Sequence, residues 1–196
     1  MELCRGDEDN LKATYKDAID GGILNSELRE VILTSYLFDG YPTALEGFRI
    51  LSELLPMSNP TPDPILYSTE NIDLWQQRGE ELCRQIYGKQ FLPLMNRVNT
   101  FAPELKESMI VEGYGKVLSR PGLHIIYREL CVVSILTLKF RQRQLKSHIL
   151  GALRVGSSEK QIDIATDVAT SFLSEDGKLR SQEAINEIVA YYRMPK

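Results

Sequence analysis

Apolar residues recur at the three- and four-residue spacing of amphipathic helices through most of the chain. In the segment SELREVILTSYLF, Leu28 and Val31 share one helical face, and charged residues lie opposite. The segment TALEGFRILSELL repeats the pattern with Phe48 and Leu51. Together the two segments predict a helical hairpin over residues 27–54.

A second hairpin is predicted over residues 159–191. The segment GSSEKQIDIATDVATSFL places Ser158 and Gln161 at the spacing of a capping box, in which the two side chains bind backbone N–H groups at the helix start. Ile162 and Val168 then fall on one apolar face. The pattern predicts a helix that begins directly after Ser158.

Residues 130–138, LCVVSILTL, are apolar almost throughout, and their β-branched members would also suit a strand. No nearby segment offers a strand partner, so a helix that is buried on nearly all sides fits better. Residues 128–139 and 143–154 are therefore predicted to form an antiparallel helix pair. The expected fold class is all-α.

Residues 56–71, PMSNPTPDPILYSTEN, interrupt the helical pattern with four prolines. Each proline removes a backbone donor and disfavours helix at the preceding residue, so this segment is predicted to be an extended linker. It divides the chain into an N-terminal hairpin, residues 1–55, and a helical core, residues 72–196. The two parts are expected to form one compact unit.

The two predicted hairpins are related by a shift of 134 residues without a gap. Apolar positions coincide at this shift, for example Ala18 with Ala152, whereas Thr14 stands at the position of His148. The register favours duplication of a helix–turn–helix unit, with chance similarity of amphipathic helices as the alternative. The hairpins are expected to superpose on each other.

The composition narrows the function classes. The net charge over 196 residues is −4, so the chain lacks the basic excess that binding to a nucleic-acid backbone requires. Three cysteines without metal-ligand spacing predict reduced thiols and no metal site. The apolar runs are too short to span a bilayer, and the N-terminal residues lack the zones of a signal peptide. We therefore expect a cytoplasmic protein with no membrane or nucleic-acid partner.

Several short motifs in the second half of the chain carry a family resemblance. SRPGL, REL, QLKSHI and GALRVG occur in this order between residues 113 and 162, and QRGEELCRQIYG and APEL precede them. The set resembles the carboxymuconolactone decarboxylase family, within the superfamily of alkylhydroperoxidase D proteins. The resemblance implies an alkylhydroperoxidase D-like helical domain and a homo-oligomer, often a trimer or hexamer, with sites near subunit contacts.

The order of the segments departs from the family pattern. The N-terminal stretch ELREVILTSYLFDGYPTALEGFRIL looks like the segment that usually follows this core. The chain therefore resembles a rearranged member, in which the usual C-terminal hairpin precedes the core and a diverged hairpin follows it.

The resemblance selects Glu129 and His148 as a candidate acid–base pair. In the redox branch of the superfamily, a glutamate is followed by a CxxC pair and then by a histidine, but here Arg141 and Gln144 hold the cysteine positions. Without those thiols, peroxidase chemistry at this place is not expected. Histidine exchanges protons near neutral pH, which suits it to acid–base catalysis. The alternative for Glu129 is a first-turn carboxylate favoured by the helix dipole and paired with Arg128 or Arg120. The alternative for His148 is a partly buried histidine bonded to a backbone carbonyl.

Three arginines are candidates for binding a substrate carboxylate, namely Arg120, Arg141 and Arg143. A guanidinium holds a carboxylate through two parallel hydrogen bonds, although a solvated turn or a helix cap is the simpler interpretation. The resemblance implies a cofactor-free carboxy-lyase that acts on a small anionic lactone, with His148 as proton donor and Glu129 as its partner. We predict that these two side chains converge on a pocket that Arg120 or Arg141 reaches.

Two further hypotheses compete with the enzyme. The chain could be a non-catalytic binding or assembly module of the same fold, or an antioxidant protein that uses Cys83 or Cys131. A cavity shared by Glu129 and His148 would favour the enzyme, and separate burial would favour the module.

Overall fold

A computed structural model describes residues 1–55 and 69–194, and every regular element within these ranges is helical. The α-helices are α1 (Glu2–Arg5), α2 (Glu8–Asp20), α3 (Asn25–Asp39), α4 (Tyr41–Leu54), α5 (Thr69–Tyr87), α6 (Phe91–Phe101), α7 (Pro103–Ser108), α8 (Ile125–Leu138), α9 (Gln142–Arg154), α10 (Glu159–Thr170) and α11 (Glu175–Arg193). A 3₁₀ turn, Gly88–Gln90, precedes α6, and a π-helix, Met109–Leu118, follows α7. The all-α prediction is confirmed.

The structure settles several local predictions. The ambiguous segment LCVVSILTL is helical and lies within α8, and α8 packs against α9 as the predicted helix pair. Residues 56–68 lie outside the described residues, so the predicted extended linker is untested there, whereas residues 69–71 begin α5 instead of continuing it. Among the helices described, none is both long and apolar enough to cross a membrane.

The described residues group into two compact units. The first unit contains residues 1–54 and the residues from 122 onward, and the second unit contains Leu55–Pro121. The N-terminal hairpin thus packs with the C-terminal helices in one unit. The division into a hairpin over 1–55 and a core over 72–196 concerns how the chain was assembled from segments, and it stays a prediction.

The first unit is built around α8. This helix packs against α3, α9 and α10, and its residues Val132 and Val133 are fully buried. Ile32, Ile149 and Ile162 bring the buried faces of the three neighbouring helices to the same core. An all-round apolar sequence suits this position because a central helix has no solvent-facing side.

The repeat is visible in the helix boundaries of the first unit. At a shift of 134 residues, α2 coincides with α9 at both ends, and the first residues of α3 and α4 coincide with those of α10 and α11. The later ends differ, since α3 has 15 residues against 12 in α10 and α4 has 14 against 19 in α11. The helix starts coincide but the helix lengths differ, so the expected superposition of the hairpins is not shown and the duplication stays a prediction, with chance similarity of amphipathic helices as the alternative.

The second unit depends on a close crossing of α5 and the π-helix. A Cβ atom at Gly115 would lie 1.9 Å from the backbone oxygen of Trp75, and one at Gly79 would lie 2.1 Å from that of Ile110. No side chain fits at either distance, so both glycines are required for the two backbones to touch.

Candidate functional site

Glu129 on α8 and His148 on α9 form a buried pair within the first unit. His148 Nδ1 lies 3.0 Å from Glu129 Oε2, and the side chains are 5% and 0% exposed. Counted from Phe140 in the connecting turn, their offset is roughly three residues, or about 4.5 Å of helix rise. The two long side chains bridge this offset and meet within one chain, whereas the predicted pocket shared with Arg120 or Arg141 stays a prediction.

Surrounding groups hold the imidazole in a defined orientation. The ring of Phe38 on α3 packs edge-on against the ring of His148, with centroids 5.6 Å apart and an interplanar angle of 90°. A carboxylate oxygen accepts from an imidazole N–H group, so His148 Nδ1 carries the hydrogen in this contact when Glu129 is the acceptor. Within the described residues, Glu129 Oε1 is buried and has no hydrogen-bond partner.

A second buried ion pair lies next to this one along α8. Arg128 Nη2 donates to Glu30 Oε2 of α3 at 2.9 Å, and Arg128 Nε donates to the Leu123 carbonyl at 3.2 Å. Gly122, with φ of 96°, lies beside Glu30, and a Cβ there would approach the Glu30 side chain to 3.2 Å. This pair is not predictable from local sequence, because its partners are 98 residues apart and only the adjacency of Arg128 to Glu129 hints at it.

Two of the three predicted substrate-binding arginines form no polar contact with the pair among the described residues. Arg141 and Arg143 are exposed, and among the described residues neither forms a hydrogen bond or ion pair with Glu129 or His148. Arg120 belongs to the second compact unit. Their proposed role with a substrate carboxylate stays a prediction.

A cavity of about 540 Å³ lies on a different side of α8. Its walls come from α1, α2, α3 and α8, and neither Glu129 nor His148 is among the residues that line it. The acid–base pair and the cavity are therefore separate features of the same unit.

Two of the three cysteines, Cys4 and Cys131, lie in the wall of this cavity. Burial, and next the charge of Asp39, raise the pKa of the Cys4 thiol to about 12. Burial raises the pKa of the Cys131 thiol to about 11. Both thiols are therefore protonated at neutral pH. No group of three His, Cys, Asp or Glu side chains in the described parts of the chain is placed to bind a metal ion.

Comparison with known proteins gives distant relatives. No protein-family model matches the chain. A Schizosaccharomyces pombe protein named Peroxisomal protein 2 is 25% identical over 173 residues, which cover 86% of this chain and 80% of that protein. A Saccharomyces cerevisiae protein of the same name is 23% identical over 176 residues, covering 74% of this chain and 60% of that protein. The names of these relatives state a location and no activity.

Proposed function

We propose that the chain is a carboxymuconolactone decarboxylase-like protein in which Glu129 and His148 carry out proton transfer on a small anionic lactone or a related acid. The observation that carries the proposal is the 3.0 Å contact between His148 Nδ1 and Glu129 Oε2. The two residues are 19 positions apart and lie where the family resemblance places its glutamate and histidine.

The proposed reaction requires no group beyond the protein. Loss of carbon dioxide breaks a carbon–carbon bond, and the electron pair stays on the substrate as an enolate-like anion. Protonated His148 then gives a proton to that anion, and solvent returns a proton to the ring. Glu129 orients the imidazole. Because His148 is nearly buried, turnover requires local opening around Phe38.

The test is carbon dioxide release from a panel of carboxylated lactones, with wild type and His148→Ala compared. Removing a general acid is expected to reduce turnover about 100-fold or more. The matched control is His124→Ala, since His124 is the only other histidine of the chain and lies exposed at the N-cap of α8. Equal turnover by wild type and His148→Ala would contradict the proposed role of this residue.

A non-catalytic binding or assembly module is the second candidate. The supporting observation is the separation of the buried pair from the cavity, because neither Glu129 nor His148 lines it. Under this alternative, wild type releases no carbon dioxide from any lactone, and Glu129→Gln changes only stability. The antioxidant alternative has less support, since the raised pKa of Cys131 leaves little of the reactive thiolate at neutral pH.

We also propose that the protein forms a homo-oligomer, as the resemblance implies. Light scattering should give a particle of three or six times 22.3 kDa, and a 22.3 kDa particle at micromolar concentration would refute this. The relatives are named as peroxisomal proteins, so the peroxisome stands as an alternative to the predicted cytoplasm. Immunofluorescence against a peroxisomal marker distinguishes the two locations.

A further inference from the structure

The cavity between α1, α2, α3 and α8 has the size of a ligand site. Its volume of about 540 Å³ falls within the range of roughly 300–1,000 Å³ that is usual for small-molecule sites. Leu11, Leu28 and Ile135 form part of its buried floor. Ile23 and Tyr127 line it with exposed side chains, so the cavity opens to solvent between them.

The repeat explains why this cavity exists. At a shift of 134 residues, the wall residues Leu11 and Leu28 correspond to Leu145 and Ile162, which are fully buried. In the second copy, α9 and α10 carry these residues and both pack against α8. In the first copy α3 also packs against α8, whereas α2 packs against α1 and α4, so the cavity adjoins the face of α2 that corresponds to the covered face of α9.

Three hydroxyls of the cavity wall are already bonded within the protein, whereas the hydroxyl of Tyr15, a further lining residue, is buried and has no hydrogen-bond partner among the described residues. Thr14 Oγ1 donates to the Asn10 carbonyl at 2.8 Å, and Ser35 Oγ donates to the Ile32 carbonyl at 2.6 Å. Ser134 Oγ donates to a carbonyl of α10 at 3.1 Å. Because these three hydroxyls are satisfied, the wall offers a ligand mainly apolar surface, the Tyr15 hydroxyl and the two protonated thiols.

The charged residues that line the cavity indicate which class of apolar ligand it favours. Glu2 and Glu27 are among the lining residues, and no described lining residue is Lys or Arg. A bound carboxylate would meet these two acidic side chains, and the one cation on the described lining residues is the terminal amino group of Met1, so a neutral molecule is favoured.

We infer that this cavity binds a neutral, elongated apolar small molecule, such as one with an alkyl chain and an uncharged end group. The inference does not rest on the proposed acid–base function. The site lies apart from Glu129 and His148, so His148→Ala should bind the same ligand as wild type.

The experiment is fluorescence titration with the neutral apolar dye N-phenylnaphthylamine, followed by displacement with dodecanol and dodecanoate. Saturable binding is expected, with dodecanol displacing the dye at about tenfold lower concentration than dodecanoate. No saturable binding would overturn the site, and tighter binding of dodecanoate would overturn the ligand class. Dye binding that weakens as the protein is concentrated would assign the cavity to a second copy of the chain and overturn the inference.

Matched variants locate the dye. Ala18→Trp places an indole in the cavity wall and should weaken dye binding at least about tenfold, because it fills the volume. Ala13→Trp makes the same change on an exposed position of the same helix and should bind like wild type. Val31→Phe, in the α3 wall, replaces Ala18→Trp if the latter loses its helical circular dichroism. Unchanged binding in a folded filling variant would overturn the site.

Discussion

Thr14 and His148 occupy equivalent positions in the two copies of the repeat, yet their surroundings differ completely. His148 is buried against α8 and bonded to Glu129, whereas Thr14 is exposed and donates to its own helix backbone. The same helix geometry therefore supports a polar pair in one copy and a cavity wall in the other. The difference comes from α8, which covers the face of α9 and leaves that of α2 open to the cavity.

The largest effect is expected from removing the ion pair between Arg128 of α8 and Glu30 of α3, which joins α8 to the first copy. Arg128→Leu removes the buried cation that pairs with Glu30, and we expect a loss of about 3–5 kcal/mol in the free energy of unfolding. Urea denaturation followed by circular dichroism measures it. Tryptophan fluorescence is unsuitable, because Trp75 is the single tryptophan and belongs to the second unit.

Two control variants show whether the loss of stability comes from the buried position of the ion pair or from the removal of a charge. Arg180→Leu removes a cation from the exposed pair with Asp176 on α11 and should change stability little. The double variant Arg128→Leu with Glu30→Leu should recover most of the loss, since no buried charge remains. A loss in Arg128→Leu no larger than that in Arg180→Leu would show that the pair contributes nothing.

The equivalent positions themselves give the next test. His148→Ala removes the observed hydrogen-bond partner of Glu129 and should destabilise the fold by about 1–3 kcal/mol. Thr14→Ala should stay within about 0.5 kcal/mol of wild type, because its side chain is exposed. The measurement is again urea denaturation. Equal effects at the two positions would mean that the pair with Glu129 adds no stability.

The pH dependence of the free energy of unfolding tests the side of α8 that faces the cavity, where Cys131 lies. Burial raises the pKa of Cys131 from 9.0 to about 11, so the unfolded chain releases this proton first as pH rises. The stability that the buried, protonated thiol contributes is fully present below pH 9 and is lost as pH rises from 9 to about 11. We expect it to amount to about 1–2 kcal/mol after allowance for partial exposure. Denaturation at several pH values should show a smaller decline in Cys131→Ala, and an identical decline would contradict the assignment.

Local features of the fold could be predicted from the sequence because they depend on neighbouring residues. The three- and four-residue spacing of apolar residues predicted both hairpins, and the lack of a strand partner identified α8 as a helix. The contact between Glu129 and His148 was predicted from the family resemblance and not from helix geometry. Their chemical role stays a prediction.

Features that depend on distant residues could not be predicted in this way. The pairing of Arg128 with Glu30 joins positions 98 residues apart, and neither residue is marked by a local pattern. The cavity is a volume between four helices, so no motif encodes it. The sequence repeat gave the only hint of the cavity, because Thr14 stands at the position of His148 and has no equivalent of Glu129 beside it. The packing of the helices was needed to locate the cavity itself.

The smallest effect concerns the helix starts of the two copies. Ser158 begins α10 with both halves of a capping box, its Oγ accepting from Gln161 N at 3.2 Å. Leu24 begins α3 at the equivalent position with one half only, since its backbone N–H donates to Glu27 at 3.0 Å and its side chain offers no acceptor. Ser158→Ala should therefore cost about 1 kcal/mol, and Leu24→Ser should add about 0.5–1 kcal/mol. Leu24 is exposed, so its replacement sacrifices little burial, and Leu24→Ala controls for the loss of the leucine alone. Thermal denaturation by circular dichroism compares the variants, and the idea fails if Leu24→Ser is no more stable than Leu24→Ala.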